Sequence, residues 1–387
     1  MQAQRRSHRT YRTRSYPAAL LFLLALSACG GGGGASGGSA GSGSGNAASS
    51  IASSVSTTST SSRASSASSR VSSSAASSAG TSAASSVASS SKSSSASSAS
   101  SVASSATSGI YVTPPTIASC STGQLKDSER TAVLNKLNEV RARHGLPAVT
   151  YDSTYDASAA EAAMYMVANK NLTHTPDGSG LCYTGGAASL AGTSNLHMSW
   201  TGGPTTQNIP SSDSIVGYLV DDGVSSLGHR RWVLYPFLNK TTYGRVDGQP
   251  SGTSDQYMAS ALKVIGNAAT SVSMTNDFVA YPYGSYPASE FSTAWFLSFS
   301  AVASKTNVNA NGSSQVSFAS ASISVKKPDG TALGISEQSA DYSGYGLPNH
   351  LQWKAAGLQS GITYTVTISN VVVNGTTREF VYNFSLQ

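Results

Sequence analysis

Residues 227–235 read LGHRRWVLY, and they hold the most site-like arrangement of residues in the chain. The apolar run that follows the two arginines predicts a buried segment, which would hold His229 at its edge. An acidic pair, Asp221 and Asp222, comes just before this stretch. Two interpretations are open at this point. His229 is either a residue of a functional site or a core histidine bonded to a backbone carbonyl, with the arginines paired to surface acids.

The N-terminus carries an export signal. Five arginines and no acid precede an apolar run at Ala18–Leu26, which is too short to span a bilayer and is typical of a secretory signal peptide over residues 1–28. The exit of this peptide, LSAC ending at Cys29, resembles the bacterial lipobox, in which the cysteine is lipidated. We therefore expect a membrane anchor at Cys29. Glycine at position 30, rather than aspartate, favours an outer-membrane lipoprotein on the periplasmic or the outer face.

A tether follows the anchor. Residues 29–112 are mostly Gly, Ser and Ala, and such a segment cannot bury enough apolar surface to fold. A flexible coil of this length spans on the order of 50 Å. Eight cations belong to the signal peptide and the tether, so the formal charge of +6 becomes −2 for the rest of the chain. The basic balance therefore gives no support for a nucleic-acid partner.

Two cysteines remain in the body of the protein, Cys120 and Cys182. In an oxidising envelope, two cysteines without neighbouring ligands at metal-site spacing most simply form one disulfide.

Three helices are predicted from apolar periodicity. The first runs from Asp127 or Ser128 to His144, and the second runs from 153 to 169, just before His174. A helix dipole at that point favours the protonated form of the histidine. Residues 178–210 read as a long loop, and a third helix begins after Pro210 and ends near Asp221.

The C-terminal part has a β pattern. Residues 256–265, 271–280 and 293–303 have strand-like apolar content, and alternation from 307 onward predicts a small immunoglobulin-like sandwich over residues 300–387. Three aromatic residues in it have two open interpretations, a sugar-binding platform or core and turn positions, and the second is favoured. They are Tyr342, Tyr345 and Trp353.

The ordered set of a first helix with LNEVR at 137–141, a histidine after an Ala-rich helix, and GHRRW at 228–232 resembles the CAP superfamily. This superfamily, also called the SCP domain, includes cysteine-rich secretory proteins, antigen 5 and pathogenesis-related proteins. The resemblance covers residues 123–244 and extends to about 299. It implies an α+β chain, with a three-layer α/β/α sandwich over residues 113–299 followed by the β-sandwich extension.

The resemblance also implies a surface cleft with two histidines and two acids. His174 and His229 match the histidines, and Asp221 matches one acid. The GENL element of the family is matched by Ser194-Asn195-Leu196, so Ser194 replaces its glutamate. We expect these residues to line the cleft together with Asn195, and we expect that His174, His229 and Asp221 could hold a divalent metal such as zinc.

A binding or interaction module for a lipid, a protein or a polysaccharide is the favoured function. The alternatives are a metal-dependent hydrolase or peptidase that uses the same cleft, and a polysaccharide-associated protein that acts through its C-terminal β domain. Residues 113–387 contain no HExxH, no GxSxG and no free cysteine, which weighs against an enzyme. No residue is assigned as catalytic.

Overall fold

The computed structural model describes residues 109–204 and 209–387, which belong to one compact unit. The signal peptide, the lipidation site at Cys29 and all but the last residues of the predicted tether lie outside this part. Within the described part, no helix is long and apolar enough to cross a membrane.

The described chain contains both helices and strands, as the predicted α+β class requires. Its helices are α1 (Asp127–Arg143), α2 (Asp156–Asn169), α3 (Gly185–Ala191), α4 (Asp213–Val220) and α5 (Gly228–Val233). Its first strands are β1 (Tyr111–Thr113), β2 (Gln124–Leu125), β3 (Thr150–Tyr151), β4 (Ser194–Trp200), β5 (Lys240–Thr241), β6 (Tyr243–Gly248) and β7 (Tyr257–Lys263). The remaining strands are β8 (Phe278–Tyr281), β9 (Gly284–Tyr286), β10 (Leu297–Ala301), β11 (Val316–Ser317), β12 (Ser322–Lys326), β13 (Ile335–Asp341), β14 (His350–Ala355), β15 (Thr363–Val373) and β16 (Thr376–Leu386).

An antiparallel sheet in the order β4-β7-β6 positions the candidate site. Helix α2 packs closely on one face of it because alanines line the contact, and a Cβ built on Gly244 of β6 would lie 2.2 Å from the backbone of Ala159. Helix α4 lies against the other face, where Tyr218 and Ser260 join their hydroxyls at 3.2 Å. Side chains alternate along β4, so Asn195 shares the face that α4 covers.

The first predicted helix is confirmed. Helix α1 ends at Arg143, and Gly145 takes the left-handed conformation, with φ at +67°, that commonly follows a helix C-terminus. The second helix begins at Asp156 rather than 153, because residues 153–155 form a 3-10 turn capped by Asp152.

The long loop predicted over residues 178–210 is wrong, because α3 and β4 lie within it. Helix α3 begins where Thr184 Oγ1 accepts a hydrogen bond of 2.9 Å from the Ala187 backbone N–H, which satisfies one of the free donors of the first turn. Its Gly- and Ala-rich sequence gives little apolar periodicity, and burial of Leu190 against the rest of the protein stabilises it. The strand predicted over residues 271–280 is likewise shorter, and begins only at Phe278.

The C-terminal part is rich in strands. One sheet has the order β13-β14-β10-β8, and a second has the order β11-β15-β16-β9, with β12 paired to β15. Aromatic side chains pack between the two sheets, with the ring of Phe299 5.1 Å from that of Phe380. Trp353 is fully buried, so it belongs to the core and does not form a sugar-binding platform.

The predicted division of the folded body at 299/300 falls inside strand β10. Strands β8 and β9, which also precede position 300, pair with β10 and β16 respectively. The sheets of the C-terminal part therefore include residues from both sides of the predicted boundary.

Candidate functional site

Asp221 organises the start of α5. It directly follows α4 in the left-handed conformation, with φ at 52°, which aspartate tolerates better than most residues. Its Oδ2 accepts hydrogen bonds from the backbone N–H groups of His229 at 2.9 Å and of Arg230 at 3.2 Å. These donors have no partner inside the helix, so the carboxylate satisfies them. The side chain of Asp221 is only 1% exposed.

The second oxygen of Asp221 orients the imidazole of His229. Its Oδ1 lies 2.7 Å from His229 Nδ1, and because a carboxylate accepts, we assign the ring proton to Nδ1. His229 Nε2 is left without a hydrogen bond to any residue that the structure describes. The His229 side chain is 22% exposed.

His174 meets His229 face to face. The segment after α2 brings His174 to the start of the edge strand β4, where its Nδ1 donates to the Ala191 carbonyl at 2.9 Å. The two rings stack with centroids 6.4 Å apart and planes inclined by 27°. Each histidine thus has its Nδ1 engaged by the protein and its Nε2 unused by the described residues. The structure brings the two predicted histidines together.

The helix-dipole effect expected for His174 is wrong. His174 lies five residues beyond Asn169, the last residue of α2, and the field of a helix terminus falls off within one turn. Loss of water around the ring lowers the pKa of His174, and a positive charge on His229 lowers it further, against the raising effect of the Ala191 carbonyl. His174 is still exposed at the surface, so solvent screens part of this effect.

Ser194 and Asn195 of the SNL element lie on opposite faces of β4. Asn195 is 1% exposed, and its Nδ2 donates to the carbonyl of His229 at 3.0 Å, so it fixes the backbone of the site. Strand alternation places Ser194 on the opposite face of β4, with Leu196 and α2. Ser194 Oγ is buried and has no hydrogen-bond partner among the described residues.

His197 is a neighbour of the site that the sequence did not reveal. It lies on the Asn195 face of β4, with its ring 6.4 Å from Tyr218, which in turn lies 5.7 Å from His229. Burial lowers the pKa of His197, and the positive charges of His229 and Arg245 add to that effect. Once β4 is recognised as a strand, its alternation from Asn195 to His197 supplies the missing signal.

The two arginines after His229 join the site to the rest of the protein. Arg230 is fully buried and donates to the carbonyls of Leu219, Val220 and Phe296 at 2.7 to 2.8 Å. Arg231 forms an ion pair with Asp341. The interpretation of these arginines as paired to surface acids is therefore right for Arg231 and wrong for Arg230.

The described residues do not fit a resident zinc ion. Catalytic zinc has three protein ligands and an open position. Here both carboxylate oxygens of Asp221 already accept hydrogen bonds from residues 229 and 230. Within residues 109–204 and 209–387, no group of three or more His, Cys, Asp and Glu side chains could hold a metal ion. The histidine pair supplies two nitrogen ligands, and we derive no step through a metal.

Comparison with known proteins identifies the family. Residues 134–262 match the family model of CAP, the cysteine-rich secretory protein family. The chain therefore contains a CAP domain over residues 134–262.

Three solved structures are similar to parts of the chain. An extracellular protein containing an SCP domain from Bacillus anthracis str. Ames is 18% identical, with a TM-score of 0.23, over 36% of this chain and 42% of that one. An outer surface protein from Borrelia burgdorferi is 16% identical, with a TM-score of 0.22, over 35% and 93%. The hookworm platelet inhibitor is 14% identical, with a TM-score of 0.23, over 38% and 75%. The match thus spans less than half of the Bacillus protein. No curated protein sequence matches the chain.

Proposed function

We propose that this CAP protein is an envelope-anchored binding module whose ligand contacts the pair formed by His174 and His229. The observation that carries the proposal is the state of the two Nδ1 atoms. Each is bonded to an acceptor of the protein, at 2.9 Å for His174 and 2.7 Å for His229. Both rings are therefore held in place, and both Nε2 atoms are available to a ligand.

The chemistry of the pair limits the ligand. A neutral imidazole with its proton on Nδ1 presents a lone pair at Nε2, so each ring of the pair accepts a hydrogen bond from the ligand when that ring is neutral. A hydroxyl or an amine of a lipid, a protein or a polysaccharide can supply the matching donors. The lowered pKa of His174 favours the neutral form near pH 7.

The proposal includes the lipid anchor at Cys29 and the arrangement of the folded part in layers. Lipidation at Cys29 would attach the protein to the outer membrane, and the Gly/Ser/Ala segment would hold the body away from the surface. The sheet with α2 and α4 on its two faces supports a three-layer CAP sandwich. The two C-terminal sheets support an immunoglobulin-like extension.

Titration of the imidazole signals by NMR tests the binding proposal. The probes are vesicles of phosphatidylethanolamine and phosphatidylglycerol, solubilised peptidoglycan fragments and lipopolysaccharide. At least one probe should shift the His174 and His229 signals together, and His174→Gln should remove the response of His229. The matched control is His350→Gln in β14. If no probe moves either signal, the proposal is wrong.

Hydrolysis is a second candidate, favoured by the Asp221–His229 pair. A carboxylate bonded to Nδ1 is the usual way to orient a histidine that acts as a base. No nucleophile is bonded to His229 Nε2 in the described part. The experiment is a peptidase and esterase assay with and without added zinc, comparing the wild type with His229→Gln. Equal rates in the two proteins would remove this candidate.

A further inference from the structure

A concave site lies where the segment after α4 meets the loop before β10. The cavity measures about 220 Å³. Its lining includes Asp222 and Ser225 from the first segment, Trp295 and Phe296 from the second, and Lys354 of β14. Neither His174 nor His229 belongs to the lining, so this cavity is separate from the histidine pair.

One side of the cavity is aromatic. Lys354 holds its Nζ 4.7 Å from the centre of the Phe296 ring, so this ring already has a cation over it. Trp295 meets Phe291 edge to face at 6.4 Å, and no other ring of the described chain stacks on it. Both aromatic side chains are half-buried. The indole of Trp295 therefore lines the cavity, and no other ring stacks on its face in the described part of the chain.

The other side of the cavity is polar and unpaired. Asp222 is exposed, and its carboxylate forms no hydrogen bond or ion pair with any residue in the described ranges. The hydroxyl of Ser225 is also unbonded within these ranges, while its carbonyl accepts from Gln352 Nε2 at 3.1 Å. A carboxylate and a hydroxyl thus face a ligand that would enter next to the indole.

The charges around the cavity favour a neutral ligand over an anion or a cation. An anion is disfavoured by three nearby carboxylates, those of Asp221, Asp222 and the Glu337 that pairs with Lys354 at 2.9 Å. The guanidinium of Arg230 is already bonded to backbone carbonyls. A cation would have to displace Lys354 from Phe296. A neutral, hydroxyl-rich ring fits both the free acceptors and the aromatic face. The volume suits one such ring, since a cavity of roughly 150 Å³ holds benzene.

We propose that this cavity binds one neutral pyranose ring of a polysaccharide. The C–H face of the sugar lies on the indole of Trp295, and its hydroxyls donate to Asp222 and bond to Ser225. The lining also includes Asp221, which binds His229, but the proposed sugar contacts are Trp295, Asp222 and Ser225. The proposal therefore holds whether or not the histidine pair binds a ligand.

Calorimetric titration of the full chain tests the proposal with cellotetraose, maltotetraose and the tetramer of N-acetylglucosamine. Tetragalacturonate is the acidic comparison. We expect saturable binding of at least one neutral tetramer and none of the acidic one. Trp295→Ala should weaken binding at least tenfold, or about 1.4 kcal/mol. Asp222→Asn should weaken it by a similar factor, since it removes a charged acceptor at an exposed position.

Two controls make the result specific. Trp200, which is 60% exposed and stacked on Tyr257 at the end of β4, is the matched tryptophan, and Trp200→Ala should leave binding unchanged. His174→Gln should also leave it unchanged, which separates this site from the proposed function. Failure of all three neutral tetramers overturns the proposal. Binding that survives Asp222→Asn in full, or that is lost equally in Trp200→Ala, overturns it as well.

Discussion

At the residue scale, Asp221 determines which nitrogen of His229 faces the ligand. In Asp221→Asn the amide NH₂ can occupy the place of Oδ1, and it would then donate to His229 Nδ1. We expect the imidazole proton to move to Nε2, which would turn the site from an acceptor into a donor. The stability should fall by about 1–3 kcal/mol, because a buried charged acceptor is lost.

Nitrogen chemical shifts of the imidazole, measured by NMR, report the tautomer directly. Asp222→Asn is the matched control, because this neighbouring carboxylate is exposed and makes no contact with His229 in the described structure. A Nδ1-protonated His229 in the Asp221→Asn protein would contradict the assigned role of the carboxylate.

His144 is a buried residue from which a pH effect on stability can be predicted. Its Nδ1 lies 2.8 Å from the Ala280 carbonyl and its Nε2 lies 3.1 Å from the Tyr286 hydroxyl. Burial lowers its pKa to about 3, against about 6.5 in an unfolded chain. Between these two values only the unfolded chain binds the proton, so stability falls as the pH drops from 6.5 towards 3. The slope from this group is about 1.4 kcal/mol per pH unit.

Two measurements check this prediction. The imidazole signals of His144 should not titrate between pH 8 and pH 5 in the folded protein. His144→Gln should reduce the pH dependence of the unfolding free energy by about one proton in the same acidic range. A titration midpoint of His144 near pH 6 would contradict the prediction.

At the element scale, the sequence predicts a helix whose buried residues recur with a helical period. It does not reveal a helix or strand that lacks such a pattern. Helix α1 was found from Val133, Leu137 and Val140, whose burial follows a helical repeat. Helix α3 is mostly Gly and Ala, and its position depends on the Thr184 cap and on contacts with α2, which no local pattern reveals. Missing β4 meant missing His197 as well.

The disulfide, predicted from two cysteines in an exported chain without neighbouring ligands at metal-site spacing, is confirmed, with the Cα atoms of Cys120 and Cys182 5.3 Å apart. It links the segment before α1 to the loop after α2, across a separation of 62 residues. In a chain-entropy treatment, closing a loop of this size stabilises the folded state by roughly 4 kcal/mol.

The double variant Cys120→Ser, Cys182→Ser should therefore lose about 2–4 kcal/mol of unfolding free energy. Urea unfolding measures this loss, and reduction of the wild-type protein should produce the same change. The matched control is the double variant under reducing conditions, where no further loss is expected. A difference below about 1 kcal/mol between the oxidised wild type and the double variant would contradict the entropic account.

At the scale of the whole molecule, the stretch at 227–235 connects three parts of the protein. His229 enters the site, Arg230 bonds the loop before β10, and Arg231 pairs with Asp341 and donates to the Tyr345 carbonyl at 3.0 Å. The sequence identified this stretch and its histidine as central. It could not show that Phe296, Asp341 and Tyr345 are partners of these arginines, because they lie more than 60 residues further along the chain.

These contacts predict that the CAP segment does not fold when the chain is cut at 299/300. A fragment of residues 109–299 would lose strand β14 from beside β10, and it would lose Asp341 and the carbonyls to which Arg231 donates. The faces of Phe278 and Phe299 would also be exposed to water, at about 1.5–3 kcal/mol for each fully exposed ring. A typical domain is stable by about 5–15 kcal/mol, so the lost strand pairing, hydrogen bonds and apolar burial together are enough to unfold the fragment.

The experiment compares fragments 109–299 and 109–387 by calorimetry and by circular dichroism in the near ultraviolet. The longer fragment should unfold cooperatively and the shorter one should show no transition. The variant Asp341→Asn in the longer fragment isolates the ion pair, and it should lower the unfolding free energy without abolishing the transition. A cooperative transition in the shorter fragment would mean that the CAP segment is an independent domain and that the predicted boundary at 299/300 is a true one.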